Sequence, residues 1–250
     1  MRQLHPVLFV GAGPGAADHV TLGAARALSA AEVVIHDRLV GDEVMDLVPP
    51  QARRVDVGKE GFGPSTAQGT INAVLVEAAL SGARVVRLKG GDCGVFGRLD
   101  EEIEALESAG LSFRILPGLT TASVAAAAIG QSLTKRGRNS GLRIVTGHVM
   151  EGFAEQDWRG LARAGEVVAI YMGKKSARFL QGRLMMHGAA ADTPVTVVEN
   201  ASRADQRILS ATLATLPAVV AETHGPAILL YGLAPRAAVS ALSTLKEAHA

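Results

Sequence analysis

The chain has 250 residues, enough to bury a sizeable core in one large domain or in two of roughly 120 residues each. Its 25 basic and 24 acidic side chains leave a net charge of +1, so no global field selects for nucleic acid or an anionic membrane, and an anionic partner must be met by individually placed cations. The single cysteine, Cys93, excludes an intramolecular disulfide, and the seven histidines lack paired metal-ligand spacing; a reducing, cytoplasmic home and no bound metal are the expectations.

The opening MRQLHPVLFV lacks the long apolar core and cleavage site of a secretory leader, because Gly11 and Pro14 interrupt it. LFV (8–10) reads as a strand running into the glycine loop Gly11-Ala12-Gly13-Pro14-Gly15. Gly11-x-Gly13-x-x-Ala16 formally satisfies the dinucleotide fingerprint, and Asp37 ends the next strand, EVVIHD (32–37), about where a ribose-binding acid should stand. Against that reading, Pro14 fixes φ and removes an amide donor from the middle of a loop that should cradle a pyrophosphate. The loop suits packing against a ligand better than wrapping phosphates; a plain strand-to-helix corner is the alternative. Between these strands Leu22, Ala25, Ala27 and Leu28 fit one helical face, with Asp18 or Thr21 as its cap.

RRVDV (53–57) and RVVRL (84–88) continue the strand series. The second leads into Gly90-Gly91-Asp92, where missing side chains let backbone groups approach a ligand and a carboxylate can accept from ribose hydroxyls or an amino group. Asp92 capping the following turn is the competing reading. Cys93 has no histidine partner in the motif and reads as a structural thiol. Asp100 to Ser108 reads as a helix closed by Ala109-Gly110, with Arg98 at its mouth and Glu101 or Glu102 reaching back to it. Arg98 either faces substrate or forms a surface ion pair worth little, and spacing leaves both open.

FRIL (113–116) closes the first set, and the uncharged stretch that follows it, to residue 134, holds too much Thr, Ser and Gly, with a proline near its start, for a membrane span. The strand–helix pattern then restarts with RIVTGH (143–148), EVVAIYM (166–172), PVTVVEN (194–200) and PAILLYGL (226–233), with a helix over 176–187. Alternation of strand and helix predicts α/β layers, and two successive sets predict two domains, 1–116 and 117–250, with a ligand cleft between them. Arg136 and Arg138 lie in the one dense basic stretch, Lys135 to Gly141, either as forks for substrate carboxylates or as a solvated loop. Tyr171-Met172-Gly173 ends a strand with a thioether that either fills core or lines an adenosine pocket.

In this order VGAGPG (10–15), HDRLV (36–40), VGK (57–59), RLKGGD (87–92), VFGR (95–98) with Glu101-Glu102, PGLTTA (117–122), LTKR (133–136), TGH (146–148), YMG (171–173), VVEN (197–200) and DQR (205–207) resemble the uroporphyrinogen-III C-methyltransferases. The resemblance runs from residue 7 to about 233 and rests on the order and spacing of motifs that are weak singly. It implies two α/β domains with mixed sheets, distinct from the Rossmann fold, which disposes of the dehydrogenase reading. It also implies a homodimer that methylates uroporphyrinogen III at C2 and C7 with S-adenosylmethionine, leaving S-adenosylhomocysteine and giving precorrin-2 for siroheme, cobalamin or heme d1. By the same resemblance Pro14, Gly90, Gly91, Asp92, Val95, Thr120, Thr121, Met172 and Ala201 fall at cofactor-contacting positions. Asp37, Arg98 and Glu101 fall at catalytic positions, and Arg38, Lys59, Arg136 and again Met172 at substrate-binding ones.

Several positions depart from the family pattern. Cys93-Gly94 replaces Pro-Phe, Leu99-Asp100 replaces Gly-Gly, Ser132 and Lys135 replace Pro and His, Pro64 stands where His is frequent, and Ala201 replaces Gly. These bear on rate and substrate preference more than on reaction class. A methyltransferase of a later precorrin intermediate, or a non-catalytic S-adenosylmethionine or tetrapyrrole-binding protein, are the alternatives that product mass separates. No dehydrogenase or chelatase segment is read in the sequence, so those steps on precorrin-2 are expected from other proteins.

Overall fold

A computed structural model describes residues 4–58, 67–149 and 152–237. The chain divides into two compact units, Met1–Thr121 and Ala122–Ala250.

The first unit is a five-stranded sheet of β1 (Val7–Gly11), β2 (Val33–His36), β3 (Arg53–Asp56), β4 (Val85–Lys89) and β5 (Phe113–Leu116), in the order β3-β2-β4-β1-β5. Every pairing is parallel. Parallel strands need crossovers, here provided by α1 (Leu22–Ser29), α2 (Asp42–Met45), α3 (Gln68–Leu80) and α4 (Leu99–Ser108). The period of two decides which side chain meets which helix. Val7, Phe9, Val33, Ile35 and Val85 pack with Ile71 and Leu75 of α3 and Leu106 of α4. Val10, Val34, Val86 and Leu88 pack on the other face with Ala24, Ala27 and Leu28 of α1 and Val44 of α2. Both faces are covered, which is why these strands read as nearly continuous apolar runs.

Thr21 caps α1, its Oγ1 accepting from Ala24 N at 3.1 Å. The buried face is Ala24, Ala27 and Leu28; Leu22, expected on that face, is exposed because it occupies the first helical position and points away from the sheet side.

In the second unit β6 (Arg143–Thr146), β9 (Val168–Tyr171), β10 (Pro194–Glu199), β11 (Arg207–Thr212) and β12 (Ala227–Tyr231) form a sheet of order β11-β10-β12-β9-β6. Only β6 and β9 pair in parallel, so this sheet is mixed as expected, whereas the first is wholly parallel. The short β7 (His148–Val149) and β8 (Gly152–Phe153) form a separate ribbon. One sheet face packs under α5 (Thr121–Ala128), through Ala122, Ala125, Ala169, Val198 and Leu230. The other packs under α6 (Trp158–Leu161), α7 (Ala177–Met186) and α8 (Leu216–Ala221), through Trp158, Leu180, Val197, Leu216 and Leu229. β11 was not expected from the sequence; RILSAT is a partly exposed edge strand that relies on antiparallel pairing with β10 over six residue pairs.

Candidate active site

Because all strands of the first sheet run the same way, their carboxyl ends share one edge, the position at which open α/β sheets bind ligands. That edge gathers Gly11 to Gly15 after β1, Asp37 after β2, Gly90 to Asp92 after β4, and Pro117 to Thr121 after β5. The loops are held backbone to backbone. Gly13 N donates to Gly91 O at 3.1 Å and Gly91 N to Gly13 O at 2.8 Å, both glycines at φ +69°. A Cβ on Gly11 would lie 2.6 Å from Gly118 Cα and 2.8 Å from Gly91 O, and one on Gly118 would meet Gly91 O and lie 2.8 Å from Gly11 Cα, so the loops meet this closely because residues 11 and 118 are glycine. Asp92 fastens the corner: its Oδ1 accepts from Gly94 N at 2.9 Å and its Oδ2 from Gly118 N at 3.0 Å. Thr121 Oγ1 stands 3.7 Å from the place a Gly91 Cβ would take. Pro14, Gly90, Val95 and Thr120 are partly buried around this corner.

Arg98, at φ +53°, precedes the first turn of α4 and pairs with Glu101 through Nε–Oε1 at 2.7 Å and Nη2–Oε2 at 2.6 Å. Both side chains are largely exposed, and the Arg98 hydrogen bonds hold the Glu101 carboxyl below the usual carboxylate range. Asp37 is partly exposed and accepts from Arg87 Nη2 at 2.6 Å; Arg38 beside it is exposed. Lys59 and Pro64 lie outside the described residues.

Sequence reasoning gave Arg87 and Lys89 no role and offered Glu102 only as a partner for Arg98; all three are buried. Arg87 Nε and Nη2 donate to the Glu102 carboxylate at 2.9 Å each, and Lys89 Nζ donates to it at 2.7 Å. Burial works against both charges in the Arg87–Glu102 pair. Asp37 and Glu102 nevertheless raise the Arg87 pKa above its ordinary value, and Arg87 and Lys89 lower that of Glu102. Cys93 belongs to the apolar cluster with Phe9, Leu75 and Leu106, and burial with the Asp92 charge pushes its thiol up to about 12.

In the second unit β6, β9 and β10 point the same way, so TGH, YMG and the turn after VVEN share that sheet's carboxyl edge. One strand, β12, separates β9 from β10, so Met172 and Ala201 follow strands that are not immediate neighbours. Met172 is exposed at φ +52°, Ala201 is buried, and Gly147 N donates to Tyr171 O at 2.7 Å. VVEN and DQR form one knot. The buried Glu199 carboxylate accepts from His224 N and Gly225 N, both at 2.5 Å, and from Arg207 Nη1 at 3.0 Å. Asn200 Nδ2 donates to Asp205 Oδ2 at 2.6 Å, and Ser202 N to Gln206 Oε1 at 2.7 Å. Burial penalises the Glu199 charge, but the two amides and Arg207 hold its pKa down.

The basic loop sits elsewhere. A Cβ on Gly165, ahead of β9, would lie 2.9 Å from Arg138 O, which places this loop at the amino side of the sheet, not at the edge carrying Met172 and Ala201. Asn139 knits it, accepting from Lys135 N and Arg138 Nε and donating to Leu133 O and Gly141 O; Arg136 and Lys135 are exposed. All five non-glycine residues with positive φ among those described are Phe96, Arg98, Met172, Asn200 and Ser202. They fall in or beside the VFGR, YMG and VVEN motifs, the kind of place where backbone strain concentrates at functional loops.

Residues 6–217 match the family of Tetrapyrrole (Corrin/Porphyrin) Methylases. The chain belongs to that family. Siroheme synthase 3 of Aeromonas hydrophila is 43% identical over 226 residues, covering 90% of this chain and 48% of that protein. Siroheme synthase of Edwardsiella ictaluri is likewise 43% identical, over 90% of this chain and 49% of its own length. The chain thus spans about half the length of these curated relatives. Among solved structures, the uroporphyrin-III C-methyl transferase of Thermus thermophilus, complexed with S-adenosylhomocysteine, superposes with a TM-score of 0.78 at 35% identity, covering 91% of this chain and 92% of that one. A cobalt precorrin-4 methyltransferase shares the fold at a TM-score of 0.80 and 24% identity. Two of the departures from the family pattern have a plain setting: Cys93 is a packing residue inside the first core, and Ser132, just ahead of the basic loop, is tied to it, its carbonyl accepting from Arg138 Nη2 at 2.6 Å. Among the described residues, no group of three or more His, Cys, Asp and Glu is placed to hold a metal ion, and no helix is long and apolar enough to cross a membrane.

Proposed function

We propose that the chain transfers two methyl groups from S-adenosylmethionine to C2 and C7 of uroporphyrinogen III, giving precorrin-2. The observation that carries this reading is the backbone-built corner of Gly11, Gly13, Gly91 and Gly118, fastened by Asp92, in a tetrapyrrole methylase similar over nearly its whole length to a uroporphyrin-III C-methyl transferase. A corner with no Cβ to keep a ligand away fits a nucleoside-sized methyl donor. In this reading Pro14, Gly90, Gly91, Asp92, Val95, Thr120 and Thr121 hold the donor.

S-adenosylmethionine, when bound, supplies an electrophilic sulfonium methyl. The pyrrole carbon forms the new bond to that methyl as the S–CH3 bond breaks, so the chain's task is alignment rather than activation of a nucleophile. The methylated macrocycle is cationic and must lose a proton, and in this reading Asp37, a partly exposed carboxylate at the carboxyl edge, takes part in that step. Arg98 stays protonated and acts as a carboxylate clamp oriented by Glu101, while Arg38 and Lys59 meet other substrate carboxylates; Arg136, in the loop at the amino side of the second sheet, is left out of this reading. The working form in this reading is a cytoplasmic homodimer.

Anaerobic incubation with uroporphyrinogen III and S-adenosylmethionine tests it. The expected outcome is a product heavier by two methyl groups with two equivalents of S-adenosylhomocysteine. Cofactor binding without transfer would redirect the search to later precorrins or to a binding role.

A further inference from the structure

The first sheet buries two cations for which methyl transfer has no direct use. Arg87 and Lys89 continue the side of β4 that begins with Val85, so both enter the layer beneath α4, where Arg87 is 1% and Lys89 3% exposed. Their shared partner there is Glu102, also 1% exposed. Two cations on one carboxylate leave a positive surplus, and the second carboxylate to meet it is Asp37, whose side chain is 30% exposed. The remaining edge of the guanidinium is spent inside the sheet, Nη1 donating to Leu88 O at 3.2 Å and Ile35 O at 3.5 Å. Among the described hydrogen-bond partners of Arg87, Asp37 is the side chain that stands just past the carboxyl end of a strand, after β2.

Burying three charged groups costs heavily in desolvation, and apolar residues of equal volume often serve stability as well or better. A carboxylate at a strand end, by contrast, gains from a fork whose other half is anchored in the core, because its own two torsions are otherwise free. We infer that Arg87 is a positioning residue: gripped by Glu102 on one side, it fixes the Asp37 carboxylate in the orientation that methylation requires, with Lys89 balancing the second Glu102 interaction. This rests on the proposed function, in which Asp37 takes part in turnover.

The test is a double-mutant cycle on the full chain with wild type, Arg87→Lys, Asp37→Asn and the double variant. The first methylation is read by S-adenosylhomocysteine release, cofactor affinity by calorimetry and folding by thermal denaturation. Lysine keeps the charge but is a single point donor that cannot bridge Glu102 and Asp37 as the fork does. The expected result is a fall in kcat of at least about tenfold for Arg87→Lys, with KM and cofactor affinity within about twofold of wild type and no further fall when Asp37→Asn is already present. An equal loss in both backgrounds, an unchanged kcat, or a cofactor affinity that drops with kcat would overturn the clamp. Should Asp37→Asn abolish turnover, the split between kcat and cofactor affinity in the single variant decides. Should Arg87→Lys not fold, Glu102→Gln, which removes the anchor's charge at constant shape, is read by the same criteria. A wild type that transfers no methyl group would overturn the functional reading and the role of Asp37 together, whereas an active wild type with additive variants would overturn the clamp alone.

Discussion

Asp92 spends both oxygens on backbone amides, and those amides belong to loops that follow different strands, Gly94 after β4 and Gly118 after β5. Asp92→Ala therefore strands two donors and unfastens two loops at once. We expect a stability loss of about 1–3 kcal/mol in urea and a cofactor affinity at least about tenfold weaker by calorimetric titration with S-adenosylhomocysteine. Lost stability with intact affinity would leave Asp92 as a loop fastener only. One position further, Cys93 has its thiol pushed up to about 12, first by burial and then by the Asp92 charge. At pH 8 only about one thiol in 10,000 is then a thiolate, so the native protein should resist an aromatic disulfide reagent and release one equivalent of chromophore only after denaturation. Fast labelling of the folded chain would contradict the placement of Cys93 in the core.

At the scale of elements, β4 shows how much of the site was readable. Its β-branched run announced a strand and its glycines announced a loop, and both stand in the structure. The period of two, applied to residues 85, 87 and 89, also puts Arg87 and Lys89 on the inward side with Val85, which demands a buried carboxylate. What spacing could not supply was the partner, because Glu101 and Glu102 are neighbours in the first turn of α4, and only the packing of that helix exposes one and buries the other. The knot joining VVEN to DQR escaped for a similar reason: its bonds depend on β11 turning back beside β10, and the polar sequence of that edge strand did not declare itself.

The buried carboxylate also sets a pH dependence. Glu102 is held below its ordinary value, since Arg87 and Lys89 outweigh the cost of burial. Its contribution is therefore complete above the unfolded carboxylate value near about 4.3 and is lost as pH falls toward the lower folded value. Glu102→Ala should cost about 3–5 kcal/mol at pH 7, because it leaves Lys89 buried beside no carboxylate. The gap between wild type and variant in urea unfolding should narrow in acid; a gap independent of pH would mean that volume, not charge, is what Glu102 provides.

For the whole molecule, a ligand that binds only the folded state stabilises it by mass action. S-adenosylhomocysteine at a hundredfold excess over its Kd should add about 2.7 kcal/mol to the unfolding free energy and raise the melting temperature, while NAD at the same concentration should not. A shift with NAD would reopen the dinucleotide reading that Gly11-x-Gly13-x-x-Ala16 formally permits. The near-neutral charge gives a second handle on the molecule: substrate held through separate cations should lose affinity as ionic strength rises.

The strand order β3-β2-β4-β1-β5 has a consequence for a chain made from one end. Val7–Gly11 leaves the ribosome first of these strands, yet its neighbours in register are Val86–Lys89 on one side and Phe113–Leu116 on the other. At translation rates of about 5–20 residues per second, the nascent VLFVG segment waits on the order of 4–16 s for its first partner. During that interval one of the most apolar segments of the first unit has no native place to go, so its fate during synthesis depends on whatever shelters it until β4 emerges.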